Sequence, residues 1–200
     1  MMDKMKKELN GLKQTEIEDY EINSRTMFVE PVVYGSKIYS RVVEVEDEFL
    51  LPFKPLDLIK KSCNYYGVDY ESRKRGTRQL IGYFRKLSII IEPTYHIYFF
   101  PTVSPLKPEC IWIAFEHVEC YRRIAAQKTM ITFRNKQSHI FPVPVSTIEV
   151  QMLRTSLLKT KLMQRIESNG RKFFNKANGP QLINASESSL EYDAYSKDPK

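Results

Sequence analysis

Ile111-Trp112-Ile113-Ala114-Phe115 is apolar at every position. A strand that meets water on one face alternates apolar with polar, so an unbroken apolar run reads as a strand buried on both sides, near the middle of a sheet. Two further strands precede it. Leu87-Ser88-Ile89-Ile90-Ile91 and His96-Ile97-Tyr98-Phe99-Phe100 flank a turn at Glu92-Pro93-Thr94. Upstream, Tyr20 and Ile22, then Met27-Phe28-Val29, suggest short strands, with Pro31 limiting their pairing. Val32 to Tyr39 predicts a hairpin across Gly35-Ser36, because glycine supplies the first position of a two-residue turn. Arg41 to Glu46 continues the sheet up to a turn at Asp47-Glu48. Pro101 to Pro108 forms a proline-rich connector, and His117 to Arg123 is expected to extend the central strand. Met130-Phe133 and His139-Phe141 predict a second hairpin across Asn135-Lys136, with Pro142 and Pro144 placing the latter strand at an edge.

Two helices complete the pattern. Lys54 to Gly67 has proline in its first turn and glycine at its end. Its apolar line, Leu56, Ile59, Cys63 and Tyr66, turns Cys63 inward. Ser146-Thr147-Ile148-Glu149 reads as a capping box opening a helix that runs to about Glu167 and stops at Asn169-Gly170. Ile148, Met152, Met163 and Ile166 share one side of it, and Arg154, Lys161 and Arg165 lie nearly opposite. The fold class is therefore α+β: a single domain over residues 18–168 with short antiparallel or mixed strands and two main helices, at about 55–67 and 146–167. Residues 1–17 are expected to be an N-terminal extension, and residues 169–200 a mobile polar and acidic tail.

The chain of 200 residues has a formal net charge of +7 and a pI of about 9.2. That balance favours a polyanion as partner. The positive charge lies in two internal blocks. Residues 54–86 hold nine basic and three acidic residues, and residues 150–176 hold seven and one. The first block centres on Tyr70-Glu71-Ser72-Arg73-Lys74-Arg75-Gly76-Thr77-Arg78, with Arg85 and Lys86 following. Four cations in six residues cannot be core, because each buried charge would need a partner. The stretch reads as a basic loop that is either simply solvated or a nucleic-acid contact. Gly76 would allow close backbone approach or a positive φ, and Thr77 a hydroxyl for a phosphate oxygen. The face of Arg154, Lys161 and Arg165 is either an ordinary solvated helix face or a second phosphate-contacting surface.

Other classes find little support. Three widely spaced cysteines, Cys63, Cys110 and Cys120, suggest reduced thiols and not a disulfide framework. Cys110, His117 and Cys120 lack zinc-finger spacing, so no metal or other cofactor is expected. The phosphate-binding, zinc-protease and serine-hydrolase motifs are missing, and no enzyme activity is expected. No apolar run has the length of a membrane span. The Met-Met-Asp-Lys-Met-Lys-Lys-Glu start lacks a signal peptide's apolar stretch. The expected setting is the cytoplasm, around the nucleoid.

The order of short motifs resembles one family, the competence transcription factor ComK. They are Lys54-Pro55-Leu56 with Ser62-Cys63; Gly67-x-x-Tyr70-x-x-Arg73-Lys74-x-Gly76-Thr77; Ile91-x-Pro93; Phe100-Pro101-Thr102-x-Ser104; Pro108-x-Cys110-x-Trp112-Ile113 with His117-Val118; Thr132-Phe133 through Pro142; and Gln151-x-x-Arg154-Thr155 with Lys161. The resemblance covers roughly residues 18–167. It implies an activator of DNA-uptake genes that binds double-stranded DNA at A·T-rich promoter boxes, largely through the minor groove. It also implies homo-oligomers, as dimers paired on two boxes, work alongside RNA polymerase, and delivery by an adaptor to a Clp-type protease. The family's degradation peptide is not evident in Arg171-Lys172-Phe173-Phe174-Asn175-Lys176. The family match reaches Arg73, Lys74, Arg154 and Lys161; the roles of Arg75, Arg78, Arg85, Lys86 and Arg165 are inferred from charge. The rival readings of the same basic surface are an RNA-binding or protein-interaction adaptor and a phosphate-handling enzyme.

Overall fold

The computed structural model describes residues 20–178, with side chains to residue 169. The extension at 1–17 and the end of the tail lie outside the described residues. Three helices and nine strands are present among them: β1 (Thr26–Tyr34), β2 (Lys37–Glu44), β3 (Glu48–Leu51), α1 (Pro55–Tyr65), α2 (Tyr70–Ile81), β4 (Ile89–Glu92), β5 (Ile97–Pro101), β6 (Trp112–Ala114), β7 (Val118–Ala125), β8 (Lys128–Phe133), β9 (Ser138–Phe141) and α3 (Val145–Asn178). A large antiparallel sheet has the order β3-β2-β1-β6-β5-β4, and a small one the order β7-β8-β9.

β6 lies in the interior of the large sheet, as its sequence predicts, and all three of its residues are buried. Alternation splits its side chains between two cores. Trp112 and Ala114 join Val29, Phe99 and the α1 residues Leu58, Ile59 and Cys63 on one face. Ile113 joins Phe28, Phe100 and the small-sheet residues Val118, Ile131 and Phe133 on the other. Leu80 and Ile81 at the end of α2 meet Ile90, Tyr98 and Leu158 of α3 in a third cluster. The large sheet is thus covered by α1 and the start of α2 on one face, and by the small sheet, α3 and the end of α2 on the other, which a strand apolar on both sides requires.

The hairpins form where turn chemistry places them. Tyr34 pairs with Lys37 across Gly35, whose φ of +62° only glycine adopts freely. Pro31 sits within β1, opposite Ser40; β6 pairs β1 only at Phe28 and Val29, so the proline's missing N–H costs no ladder bond on that side. β9 is an edge strand, as Pro142 and Pro144 predict.

Four expectations change. Tyr20 and Ile22 are buried but precede β1. His117 does not extend β6: a 3-10 turn at Phe115–His117 carries the chain from the large sheet into the small one, and the His117 Nε2 lies 2.8 Å from the Ser24 carbonyl oxygen. α3 begins at Val145, so Ser146 lies inside its first turn, and it continues through Asn169-Gly170 to Asn178. Its innermost line is Ile148, Gln151, Thr155 and Leu158, all buried, and not the all-apolar line expected; the two polar members bond groups inside the protein. The described residues up to Gln164 form one compact unit, and those from Arg165 a second, which is helical.

Two imidazoles help to lock the small sheet in place. His139 packs edge-on to Phe28 at 4.8 Å between ring centres. Burial lowers the pKa of both His117 and His139 below the usual 6.5. The unfolded chain then binds more protons than the folded one as pH falls through that range, so stability is lost on acidification. The urea midpoint is expected to drop between about pH 7.5 and about pH 5.5, and a His117→Gln/His139→Gln variant to lose most of that pH dependence.

Candidate nucleic-acid interface

The basic stretch folds as a helix and not as a loop. Asp69 caps α2: its carboxylate accepts from the Ser72 N–H at 3.0 Å and from the Ser72 hydroxyl at 2.5 Å, and these bonds lower its pKa. Gly82 closes the helix at φ +72°, its N–H bonded to the Arg78 carbonyl. Tyr70, Thr77, Leu80 and Ile81 form the buried face, which leaves the cations to the other sides.

The helix sorts the predicted residues into two groups. Thr77 is fully buried and donates to the Ser88 carbonyl at 3.0 Å. Its hydroxyl is engaged inside the protein, which overturns the expectation that it bonds a phosphate. Arg73 is partly buried and donates through Nη2 to the Ile91 carbonyl at 3.0 Å, tethering α2 to β4. Gly76 is helical, so the positive φ is not adopted, and a Cβ placed there would meet nothing within 4 Å. Lys74 faces outward, 3.2 Å from Glu71 and over the Tyr70 ring at 5.6 Å. Arg75 is exposed and donates to the Ser72 hydroxyl at 2.7 Å.

Lys74 and Arg78 open onto a groove of about 460 Å³. Leu56 and Lys60 of α1 form one wall, Tyr70, Glu71, Lys74 and Arg78 of α2 another, and Phe84–Leu87 and Ser104–Leu106 close the rest. Five of the lining side chains are cations (Lys60, Lys74, Arg78, Arg85 and Lys86) and Glu71 is the one carboxylate among them. Like charges this close repel unless an anion screens them. Phe84 is 73% exposed beside them, an aromatic surface among cations.

The linker from α2 to β4 is held from behind by α3. Gln151 Nε2 donates to the Lys86 carbonyl at 3.0 Å and the Pro101 carbonyl at 2.5 Å. The Ser88 and Thr155 hydroxyls lie 2.6 Å apart, and Thr155 donates to the Gln151 carbonyl at 2.7 Å. The Arg154 guanidinium sits 4.2 Å from the centre of the Tyr83 ring, a cation–π contact. Arg154 therefore braces the linker. Lys161 is exposed further along α3, outside the groove lining, and Arg165 is an exposed residue of the second unit.

Lys60 and Phe84 carry no signal in the sequence that marks them for this groove. Lys60 follows the buried Ile59 on α1, and only its position beside α2 gives it a role; Phe84 has no charge to draw notice. Elsewhere, burial pushes the thiols of Cys63 and Cys110 up to about 11, unsuited to nucleophilic work. Among the described residues there is no group of three or more His, Cys, Asp or Glu side chains placed to hold a metal, and no helix long and apolar enough to cross a membrane.

The fold and groove define an α+β domain that presents a cationic, aromatic-edged cleft. Residues 17–167 match the family described as ComK protein, and this chain belongs to it. It is 34% identical over 151 residues to a competence transcription factor of Bacillus subtilis (strain 168), a match covering 76% of this chain and 79% of that protein. No solved structure matches it significantly.

Thr77→Val keeps the side-chain shape and removes the hydroxyl, leaving the buried Ser88 carbonyl without its donor. It is expected to cost about 1–3 kcal/mol in urea unfolding and to leave the salt dependence of polyanion binding unchanged. A phosphate contact by Thr77 would reverse that pattern.

Proposed function

We propose that this protein is a DNA-binding transcription activator of competence genes, which reads A·T-rich promoter boxes largely through the minor groove. The observation that carries the reading is the groove: five cations face one carboxylate, on a domain whose relative is a competence transcription factor. An α-helix with its side chains is about 10–12 Å across and the minor groove about 6 Å wide. So α2 lies along the phosphates and does not enter, and its long cations reach inward. Narrow A·T-rich minor grooves concentrate negative potential and attract arginine, which suits Arg75 and Arg78. Arg85 and Lys86 hold flanking phosphates, while Arg73 and Arg154 position the helix and linker. Dimers paired on two boxes, action beside RNA polymerase and adaptor-delivered Clp proteolysis belong to the same reading through the family.

Arg78→Ala/Arg85→Ala/Lys86→Ala is expected to flatten the log–log salt dependence of promoter binding by about 0.9 for each phosphate the variant no longer neutralises. Replacing A·T by I·C pairs in the box keeps the minor-groove pattern and changes the major-groove one, so binding should persist. Loss of binding on that swap, or an unchanged slope in the triple variant, defeats the proposal, and tighter binding to structured RNA favours the rival reading.

Gly76 gives a second test. A mid-helix glycine costs about 1 kcal/mol relative to alanine, and nothing inside the protein needs it. Gly76→Ala is expected to raise the unfolding midpoint and leave promoter binding unaltered, because Gly76 lies about 200° around α2 from Lys74, away from the groove. Greater stability with weaker binding would bring Gly76 into the interface.

A further inference from the structure

The run from Cys120 to Ile148 holds five cations and no Asp or Glu. Arg122, Arg123 and Lys128 of this run sit near the tip of the β7–β8 ribbon. Its root is fixed by the core residues Val118, Ile131 and Phe133, and one face stays anchored up to Thr129, which is buried opposite Arg123 and donates its hydroxyl to the Val143 carbonyl at 2.8 Å. Arg122 through Lys128 are nonetheless all exposed, with Ala125 opposite Lys128 across the turn.

Some other cations of the domain are paired. Arg25 meets Asp47 at 2.8 Å, Lys136 meets Glu119 at 2.6 Å and Lys159 meets Glu116 at 2.6 Å. Arg122, Arg123 and Lys128 have no hydrogen bond or ion pair among the described residues. β9 flanks β8 as far as Thr129, so β7 is the open edge of a three-stranded sheet and only the turn from Ala125 to Lys128 projects past it. Arginines on such an edge can reach a duplex, and arginine is the side chain that narrow grooves attract. Cations on an exposed edge strand such as β7 also deter edge-to-edge pairing, and that role needs no partner.

We propose that the tip of the β7–β8 ribbon is a second contact on duplex DNA, separate from the groove beside α2, with Arg122, Arg123 and Lys128 on its phosphates. This rests on the DNA reading of the groove and adds a second element on the same partner.

The test uses the full chain and a duplex carrying an A·T box. Arg122→Ala/Arg123→Ala/Lys128→Ala is expected to lower the log–log salt slope by about 2–3 and the affinity at low salt by about tenfold or more, with its thermal midpoint unchanged. Lys136→Ala, whose charge already has a carboxylate partner, is expected to bind as the wild type does. Arg122→Lys/Arg123→Lys should retain the slope, which separates charge from any loss of fold. A ribbon variant with wild-type slope and affinity overturns the proposal, as does one whose sole defect is aggregation. Should the groove triple variant flatten the slope while the ribbon variant does not, the ribbon fails and the groove reading stands. The opposite pattern keeps the ribbon and removes the groove. No affinity of the wild type for duplex DNA ends both.

Discussion

Three hydroxyls join the core to the cationic surface. Thr77 on α2 bonds the Ser88 carbonyl, the Ser88 hydroxyl meets that of Thr155 on α3, and Thr155 bonds the Gln151 carbonyl one turn back. Every member is buried, where an unmade hydrogen bond is costly. The chain of bonds therefore fixes α2 against the linker and the linker against α3. Without it, α2 would rest on Tyr70 at its start and on Leu80 and Ile81 at its end, with Arg73 tethering its middle to β4. The placement of Lys74, Arg78, Arg85 and Lys86 around one groove follows from bonds that carry no net charge.

That division of labour explains why the basic stretch reads as a loop in the sequence and folds as a helix. Its mean pattern is polar, and half of its buried line is Tyr70 and Thr77, which no apolar periodicity counts strongly. The terminal signals are nonetheless present: Asp69 before an acidic first turn and Gly82 after Ile81 are ordinary helix boundaries. The same blindness shifts the inner line of α3, where Gln151 and Thr155 are buried because backbone carbonyls receive their donors. Strands are legible because burial on both faces leaves an unbroken apolar run, and the first hairpin because its turn calls for glycine at Gly35, at positive φ; Lys136 takes a positive φ in the second without being a residue suited to it. The 3-10 turn after β6 is not legible, since Glu116-His117 interrupt the apolar run without a glycine or proline to mark the change of sheet.

Charge summed along the sequence locates the first cationic surface and conceals the second. Residues 54–86 are basic as a block, and the fold gathers most of that surplus into one place. Residues 87–149 are nearly neutral in sum, yet their acids lie at Glu92, Glu109, Glu116, Glu119 and Glu149, outside the stretch that forms the ribbon tip. Pairing is what separates a solvated cation from one that awaits a partner, and only coordinates reveal it: Lys136 and Arg123 look alike in sequence, but one has Glu119 beside it.

Rigidity decides what such cations can contribute. Each long side chain loses up to about 2 kcal/mol of rotamer freedom when it is fixed on a phosphate, and counterion release must exceed that loss. A flexible basic loop would lose backbone freedom as well. Here the backbone is already ordered: α2 is capped at both ends, the linker is pinned by Gln151 and braced by Arg154 over Tyr83. Lys86 is even held at φ +49°, a conformation that a non-glycine residue keeps only when its surroundings impose it. Folding has therefore already met most of the ordering cost that binding a polyanion would require. Arginines engaged in bracing would strengthen the binding of a polyanion without touching it, so charge count alone would overstate the number of phosphates reached while understating the affinity that each one can bring.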